Sequence, residues 1–490
     1  MTLPFKKQIR NFLIKDKYLP LIAGLASGLY PWAFYFTNNF DFVNSWDHFF
    51  FFLNSFIVLP TIVYYVFFFV MRKKYLPTFK NIVLPTLNAL VFFTLTMLAL
   101  FAAIRWKHAV LIAVLTGIIF IGTLLTKKMF SKILVLQFLM LITTTFAFTR
   151  IINKHFKYSY SWLNQPDTIK NVIFKKKPNV YVIQADGYVN FSELKNGYYN
   201  FDNSDFENWL TNLNFEFYKD FRSNYKNTIY SNSSMFSMKH HYYDTYNERS
   251  VIMHKNAVVS IFNSNFYKTH LFVEAPYFII NRPKNIFNFT NYKQKELPYI
   301  SRGLSKRKDI ILDFKKEWPN RGASNFYFFE KLLPWHITVP KKSSRGTEKE
   351  REVYLENLKK SNEWIKELIS LILENDAEAL IVLSADHGGF VGMNSTSETL
   401  EKMTDRDKIY SIFSAALAIR WPNNEKPPLE NSFKSSVNLF RILFSYLAED
   451  PQLLNHLQED ASFIPIKIGA PEGIYKYIDS NGKIVFDKHE

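Results

Sequence analysis

The first 150 residues carry five long apolar stretches with no polar domain between them, and no other feature restricts the fold as strongly. They cover approximately 18–37, 49–71, 82–104, 109–126 and 131–150. A hydrocarbon core of roughly 30 Å takes about 20 residues of helix, so each run is long enough, or nearly so, to cross it. The fourth is the shortest, but no charge interrupts it from Ala109 to Thr126. One such run could be a buried core helix; five in succession argue against that. A cleaved signal peptide also fits poorly, because the first run lacks a small-residue cleavage site at its end and four more follow it. Residues 1–150 are therefore expected to form a five-helix transmembrane region.

Basic residues alternate between the connecting segments. Lys6, Lys7, Arg10, Lys15 and Lys17 precede the first run, Arg72, Lys73, Lys74 and Lys80 follow the second, and Lys127, Lys128 and Lys132 follow the fourth. The first loop instead runs from Asn38 and Asn39 through Asp41 to Asp47, and the third has only Arg105 and Lys107. Positive charge marks the cytoplasmic side, so an odd number of crossings puts everything after residue 150 outside the cytoplasm. A formal net charge of +17 is compatible with nucleic acid, an anionic membrane surface or phosphate-bearing substrates. Placement of many of these cations in short membrane loops favours the membrane, and no nucleic-acid partner is expected. The chain has no cysteine, which excludes disulfides, thiolate metal sites and a cysteine nucleophile.

Residues 151–177 read as a polar, basic connector ending in Lys175-Lys176-Lys177-Pro178, suited either to lie along anionic head groups or to act as a solvated linker. From 178 to 490 the pattern becomes α/β. The run from Asn179 to Ala185 is rich in β-branched and aromatic residues and bounded by Pro178 and Gly187, so it reads as a buried strand. A second run, Ala379 to Ala385, follows a helix expected over 348–375, where Tyr354, Leu355, Leu358, Ile365, Leu368, Ile369 and Ile372 keep helical spacing.

Both strands run into acids: Asp186-Gly187 after the first, Asp386-His387-Gly388-Gly389 after the second. Ligands of open α/β sheets collect beyond the C-terminal strand ends, so these acids are candidates for one shared site. An Asp-His pair on a glycine turn suits a divalent cation, with carboxylate charge, a neutral nitrogen and a backbone able to turn tightly. Taken singly, each acid reads as well as a turn or helix cap. The segment Ser223 to Met238 adds Thr228 at an expected helix start, where backbone N–H groups and the helix dipole favour an attacking oxygen and a bound phosphate, or where the residue simply caps the helix.

These blocks resemble the sulfatase and alkaline-phosphatase superfamily, and within it the membrane-anchored phosphoethanolamine transferases acting on lipid A and the phosphoglycerol transferases such as lipoteichoic-acid synthases. The matching features are the strand into Asp186, the block Thr228-Ile229-Tyr230-Ser231 through Ser234-Met235-Phe236-Ser237, Pro334-Trp335-His336, and Asp386-His387-Gly388-Gly389, in this order after five helices. The resemblance implies an α/β/α sulfatase-like domain with a central, mostly parallel sheet. It also implies that Asp186, Asp386, His387 and Thr228 bind one divalent metal ion, zinc or manganese, that Thr228 is the nucleophile, and that His336 contacts the transferred phosphate or a second metal. The pattern departs from relatives after the Asp-His-Gly block, where a further histidine is missing, and near 270–274, where Glu274 stands in the neighbourhood of another.

The activity so implied is transfer of phosphoethanolamine or phosphoglycerol from a phospholipid to an envelope glycan or glycolipid, such as lipopolysaccharide, by a multi-pass protein of a bacterial inner membrane with a periplasmic or extracellular catalytic domain. Phosphatase or phosphodiesterase activity, with water resolving the same intermediate, is the alternative. Sulfuric-ester hydrolysis is less favoured, because no Cys/Ser-x-Pro/Ala-x-Arg motif surrounds Thr228. A noncatalytic envelope-assembly protein is the reading from a different class.

Overall fold

The computed structural model describes residues 16–304, 306–317, 324–425, 427–429 and 432–489. Lys6, Lys7, Arg10 and Lys15, which enter the charge argument, lie outside the described residues. The chain divides into two units: residues 1–158 with Ile280–Arg282 and Pro298–Arg302, and the remainder from Ser159 onward.

Among the described residues of the first unit, five helices are long and apolar enough to cross a membrane. They are α1 (Leu19–Val43), α2 (Trp46–Met71), α3 (Leu76–Phe101), α4 (Trp106–Leu125) and α5 (Met129–Phe156). Several exceed the lengths expected from hydropathy. Helix α1 continues through the polar stretch Asn38–Asp41 across a kink at Asn39 (φ -134°), and Asn38 Nδ2 and Asn39 Nδ2 donate back to the carbonyls of Phe34 (2.8 Å) and Tyr35 (3.1 Å). At the other extreme α3 stops at Phe101, short of the expected 104, because Ala102 turns into the left-handed region at φ +57°.

These helices turn apolar side chains outward, Val70 at 75%, Leu125 at 82% and Phe146 at 80% exposure, which is the pattern of helices solvated by lipid. Their interior is where the polar groups sit. Tyr64 Oη donates to Ser27 Oγ (3.0 Å), Asn88 Nδ2 to Ala23 O (2.9 Å) and Gln137 Nε2 to Asn88 Oδ1 (2.7 Å), linking α1, α2, α3 and α5. Inter-helix hydrogen bonds of this kind hold membrane bundles together where the hydrophobic effect offers no drive.

In the second unit a seven-stranded sheet has the order β2-β7-β6-β1-β5-β3-β4. Its strands are β1 (Val180–Ala185), β2 (Phe215–Phe217), β3 (Lys268–Val273), β4 (Phe289–Thr290), β5 (Asn325–Lys331), β6 (Leu380–Ser384) and β7 (Leu417–Arg420). Pairings β1–β5, β1–β6, β3–β5 and β3–β4 are parallel, while β7 runs antiparallel to β6 and β2. A separate antiparallel sheet joins β8 (Ser462–Ile466), β9 (Gly473–Ile478) and β10 (Ile484–Lys488). Central strands β1 and β6 are buried along their whole length, which explains their unbroken apolar sequence.

Helix α6 (Thr228–Ser237) is buried almost throughout, and α7 (Thr347–Asn375) buries Tyr354, Leu358, Ile365, Leu368, Ile369 and Ile372. Residues 151–156 complete α5, and beyond Ser159 the chain packs with the second unit: Ile169 is buried, and the Phe174 ring lies against Phe262, Tyr267 and Phe444.

Candidate active site

Because β1 and β6 are parallel neighbours, with Gln184 opposite Ser384, the residues that follow them emerge side by side. Asp186 and Asp386 therefore meet although 200 positions separate them in sequence. One carboxylate oxygen from each, together with an imidazole nitrogen of His387, forms a buried group whose three atoms all lie within 4.8 Å of one another. His387 Nε2 is 3.4 Å from Asp386 Oδ2 and 3.7 Å from Asp186 Oδ1.

The second atoms of these side chains hold them in place. Asp386 Oδ1 accepts from the backbone N–H groups of Gly187 and His387, both at 3.1 Å. His387 Nδ1 lies 2.9 Å from Gly388 O; since a carbonyl can only accept, Nδ1 carries a proton and Nε2 is the ring nitrogen turned toward the acids. Asp186 Oδ1 and Asp386 Oδ2, by contrast, have no hydrogen-bond donor among the described residues. Burial, and then the carboxylates of Asp386, Glu330 and Glu274, push Asp186 well above the usual carboxylate range. Two bare carboxylate oxygens and an imidazole nitrogen converging in a dry place are the donor set of a divalent cation, and the residues fit such an ion.

Helix α6 begins at Thr228, whose buried Oγ1 lies 3.4 Å from His387 Nε2. The N-cap is Asn227, with its side-chain oxygen accepting from Tyr230 N at 3.1 Å. Thr228 is thus not spent on capping, and its hydroxyl lies against the histidine. His336 approaches from the loop after β5. Its carrier segment is fastened by Trp335 N donating to Asp186 O (2.9 Å) and Ile337 N to Gly389 O (3.2 Å). Gly187, at φ +72°, makes this approach possible: a Cβ there would stand 2.6 Å from Trp335 O. The His336 ring centre is 5.9 Å from that of His387, and its Nδ1 donates to Ile337 O at 2.6 Å. Burial, then the neighbouring His387 imidazole, lowers its imidazole to about 4, so it is neutral at physiological pH.

These groups open into one cavity of about 330 Å³, with Asp186, Thr228, His336 and His387 on its polar side and Leu332, Trp335 and Phe390 among its apolar walls. All five side chains singled out in the sequence line or adjoin it. Three further polar residues belong to the surroundings. Lys226 lines the same cavity. Glu330 is fully buried on β5, beside Gln184 in the strand register, and neither of its oxygens has a hydrogen-bond partner among the described residues. Its sequence signal was an acid inside the apolar run Asn325–Lys331. Glu274 is a structural group: it accepts from Leu332 N (2.9 Å) and pairs with Lys331 (3.0 Å) and Arg307 (3.4 Å). His270, near the opposite end of β3, bonds to Asn325 at 3.3 Å and takes no part.

No protein-family model and no curated protein matches the chain. Among solved structures, it is similar to the C-terminal periplasmic domain of EcEptC from Escherichia coli, at 13% identity and a TM-score of 0.44 over 63% of this chain and 95% of that one. The integral membrane lipooligosaccharide phosphoethanolamine transferase A from Neisseria meningitidis gives 13% identity and a TM-score of 0.44, covering 80% of each chain. The lipoteichoic acid synthase LtaP from Listeria monocytogenes gives 14% and 0.40, over 65% of this chain and 91% of that one. The solved structures that this chain is similar to thus include a phosphoethanolamine transferase and a lipoteichoic acid synthase.

Proposed function

We propose that the protein is a membrane-bound phosphotransferase that moves phosphoethanolamine or phosphoglycerol from a phospholipid to a hydroxyl of an envelope glycan or glycolipid, through a covalent intermediate on Thr228. The observation that carries this reading is a threonine hydroxyl, freed from capping by Asn227, against the nitrogen of a histidine that is grouped with two carboxylate oxygens lacking donors among the described residues. Asp186, Asp386 and His387, with Thr228, would hold one divalent ion, zinc or manganese, which supplies Lewis acidity and favours the ionised threonine.

In the first step Thr228 Oγ forms a bond to the donor phosphorus as the phosphorus–oxygen bond to diacylglycerol breaks. The threonine gives up its proton, and the departing alcohol gains one. In the second step an acceptor hydroxyl attacks the same phosphorus, loses its proton, and returns Thr228 to its hydroxyl form. His336 contacts the substrate; with Nδ1 committed to Ile337 O, its Nε2 is the atom available to receive a hydrogen bond from the incoming hydroxyl. The apolar wall of Leu332, Trp335 and Phe390 limits the room for water and so supports transfer over hydrolysis. In the cell the catalytic domain works on the outer side of a bacterial inner membrane.

The test is the fate of Thr228. In Thr228→Ala the Asn227 cap remains, so the protein should fold and insert while losing nearly all transfer. Mass spectrometry should find the phospho-substituent on the peptide containing Thr228 when the second step is starved of acceptor. Full activity in Thr228→Ala, or label on Ser231, Ser233 or Ser234 instead, would refute the reading.

A further inference from the structure

Lys226 stands two residues before Thr228, half-buried, in the wall of the same cavity. Its Nζ donates to Thr399 Oγ1 at 2.9 Å, and Thr399 in turn donates to Thr396 O at 2.7 Å. This ammonium is held by a neutral hydroxyl, and among the described residues it forms no ion pair. The cations Lys331 and Arg307 differ in this respect, since both are paired with Glu274. Keeping a cation partly out of water costs free energy unless an opposite charge arrives.

The charges around the cavity say which kind of anion is missing. Asp186 and Asp386 together balance a divalent ion, so a phosphodiester that enters the site brings one negative charge with no partner there. The threonine-bound diester carries the same single charge. An ammonium that reaches the cavity from the residue pair preceding Thr228 supplies the complement to both, without disturbing the acids. Thr399 keeps the flexible lysine stem in place while leaving the other ammonium protons free to donate.

We propose that Lys226 is the anion-binding residue of this cavity, holding a non-bridging oxygen of the substrate phosphate, and that the site is therefore matched to singly charged phosphodiesters. The proposal rests on the transfer reading for the identity of the anion, and on the structure for the residue that binds it.

The experiment uses the full-length protein in detergent with Thr228→Ala as the parent, so that nothing turns over, and titrates inorganic phosphate and dimethyl phosphate calorimetrically. Lys226→Gln should weaken binding of both anions by roughly tenfold or more, the loss of one charge-assisted hydrogen bond. Lys226→Arg, which keeps the charge, should recover most of the affinity. With Thr228 restored, Lys226→Gln should raise KM for the phospholipid donor while zinc content stays at the wild-type level, which a general loss of folding would not do. Equal anion affinity in the parent and in Lys226→Gln overturns the proposal, as does failure of Lys226→Arg to recover binding in a protein of unchanged Tm. The two readings fail separately. Lys226-dependent anion binding with no adduct on Thr228 sinks the transferase; an adduct on Thr228 with anion binding indifferent to Lys226 sinks only the role of Lys226.

Discussion

Replacing Asp186 by Asn should have opposite effects on stability with and without metal. Asp186 and Asp386 bring carboxylate oxygens within 4.8 Å of each other in a buried place, and the Asp186 oxygen that faces the site has no hydrogen-bond donor among the described residues. Two unit charges at that distance repel by about 3.5 kcal/mol at an effective dielectric constant of about 20. Burial first, and then this repulsion, push the Asp186 carboxyl well above its ordinary range, so the metal-free wild type relieves part of the repulsion by taking up a proton. Asp186→Asn removes the charge outright, so in chelator the variant should be as stable as the wild type or more so, with about 3.5 kcal/mol as the upper bound.

Adding zinc reverses the ranking. An ion present at 1,000 times its Kd stabilises the wild type by about 4 kcal/mol, or roughly 8 °C in Tm at about 2 °C per kcal/mol for a large domain. Asp186→Asn, lacking one of the two carboxylates, should gain little. The assay is thermal unfolding of the detergent-solubilised protein followed by tryptophan fluorescence, in chelator and in zinc. A variant that loses several degrees in chelator, or that keeps the full zinc shift, would show that Asp186 is a structural hydrogen-bonding group rather than a ligand.

Gly187→Ala puts a methyl group 2.6 Å from Trp335 O in a left-handed backbone conformation, so it should destabilise the protein by roughly 2–4 kcal/mol and displace His336; an unchanged urea midpoint with full activity would contradict that. The second unit should also lose stability in acid through His240 and His241, which burial lowers to about 4 and about 3. Both are fixed as neutral tautomers. His240 Nε2 donates to Glu459 O while Nδ1 lies 3.1 Å from Tyr225 Oη, and His241 Nε2 donates to Tyr230 O while Nδ1 accepts from Tyr243 N. Their folded pKa values lie below the unfolded value near 6.5, so the unfolded chain binds more protons between the two. The stability they contribute is complete above pH 6.5 and falls as pH drops toward 4 and 3, by about 2 kcal/mol each at pH 5. His241→Gln should flatten the dependence of Tm on pH between 7 and 5, and an unchanged slope would remove His241 from the account.

Hydropathy alone located the five membrane helices, because a lipid-embedded helix satisfies its own backbone and needs only enough consecutive apolar residues. Their ends were less legible: the first helix runs on past polar Asn38 and, across a kink at Asn39, to Val43, with both side chains bonding back to carbonyls one turn earlier, a choice that composition does not reveal. The runs into Asp186 and Asp386 were readable as strands for a similar reason, since central parallel strands are apolar on both faces. Shorter strands such as β2 and β7, and the unusual β5 with Glu330 inside it, gave no comparable signal.

What the linear order could not contain is the meeting of distant atoms. Parallel pairing of β1 with β6 brings Asp186 and Asp386 together, and the bond from Nδ1 to Gly388 O decides which nitrogen His387 presents. Asn227, not its neighbour, became the helix cap, leaving Thr228 free to face the histidine; Lys226 found a hydroxyl partner 173 residues away and no carboxylate among the described residues. Each of these outcomes depends on which donors and acceptors remain unpaired once the sheet and helices have packed, and that is a property of the folded chain rather than of any segment within it.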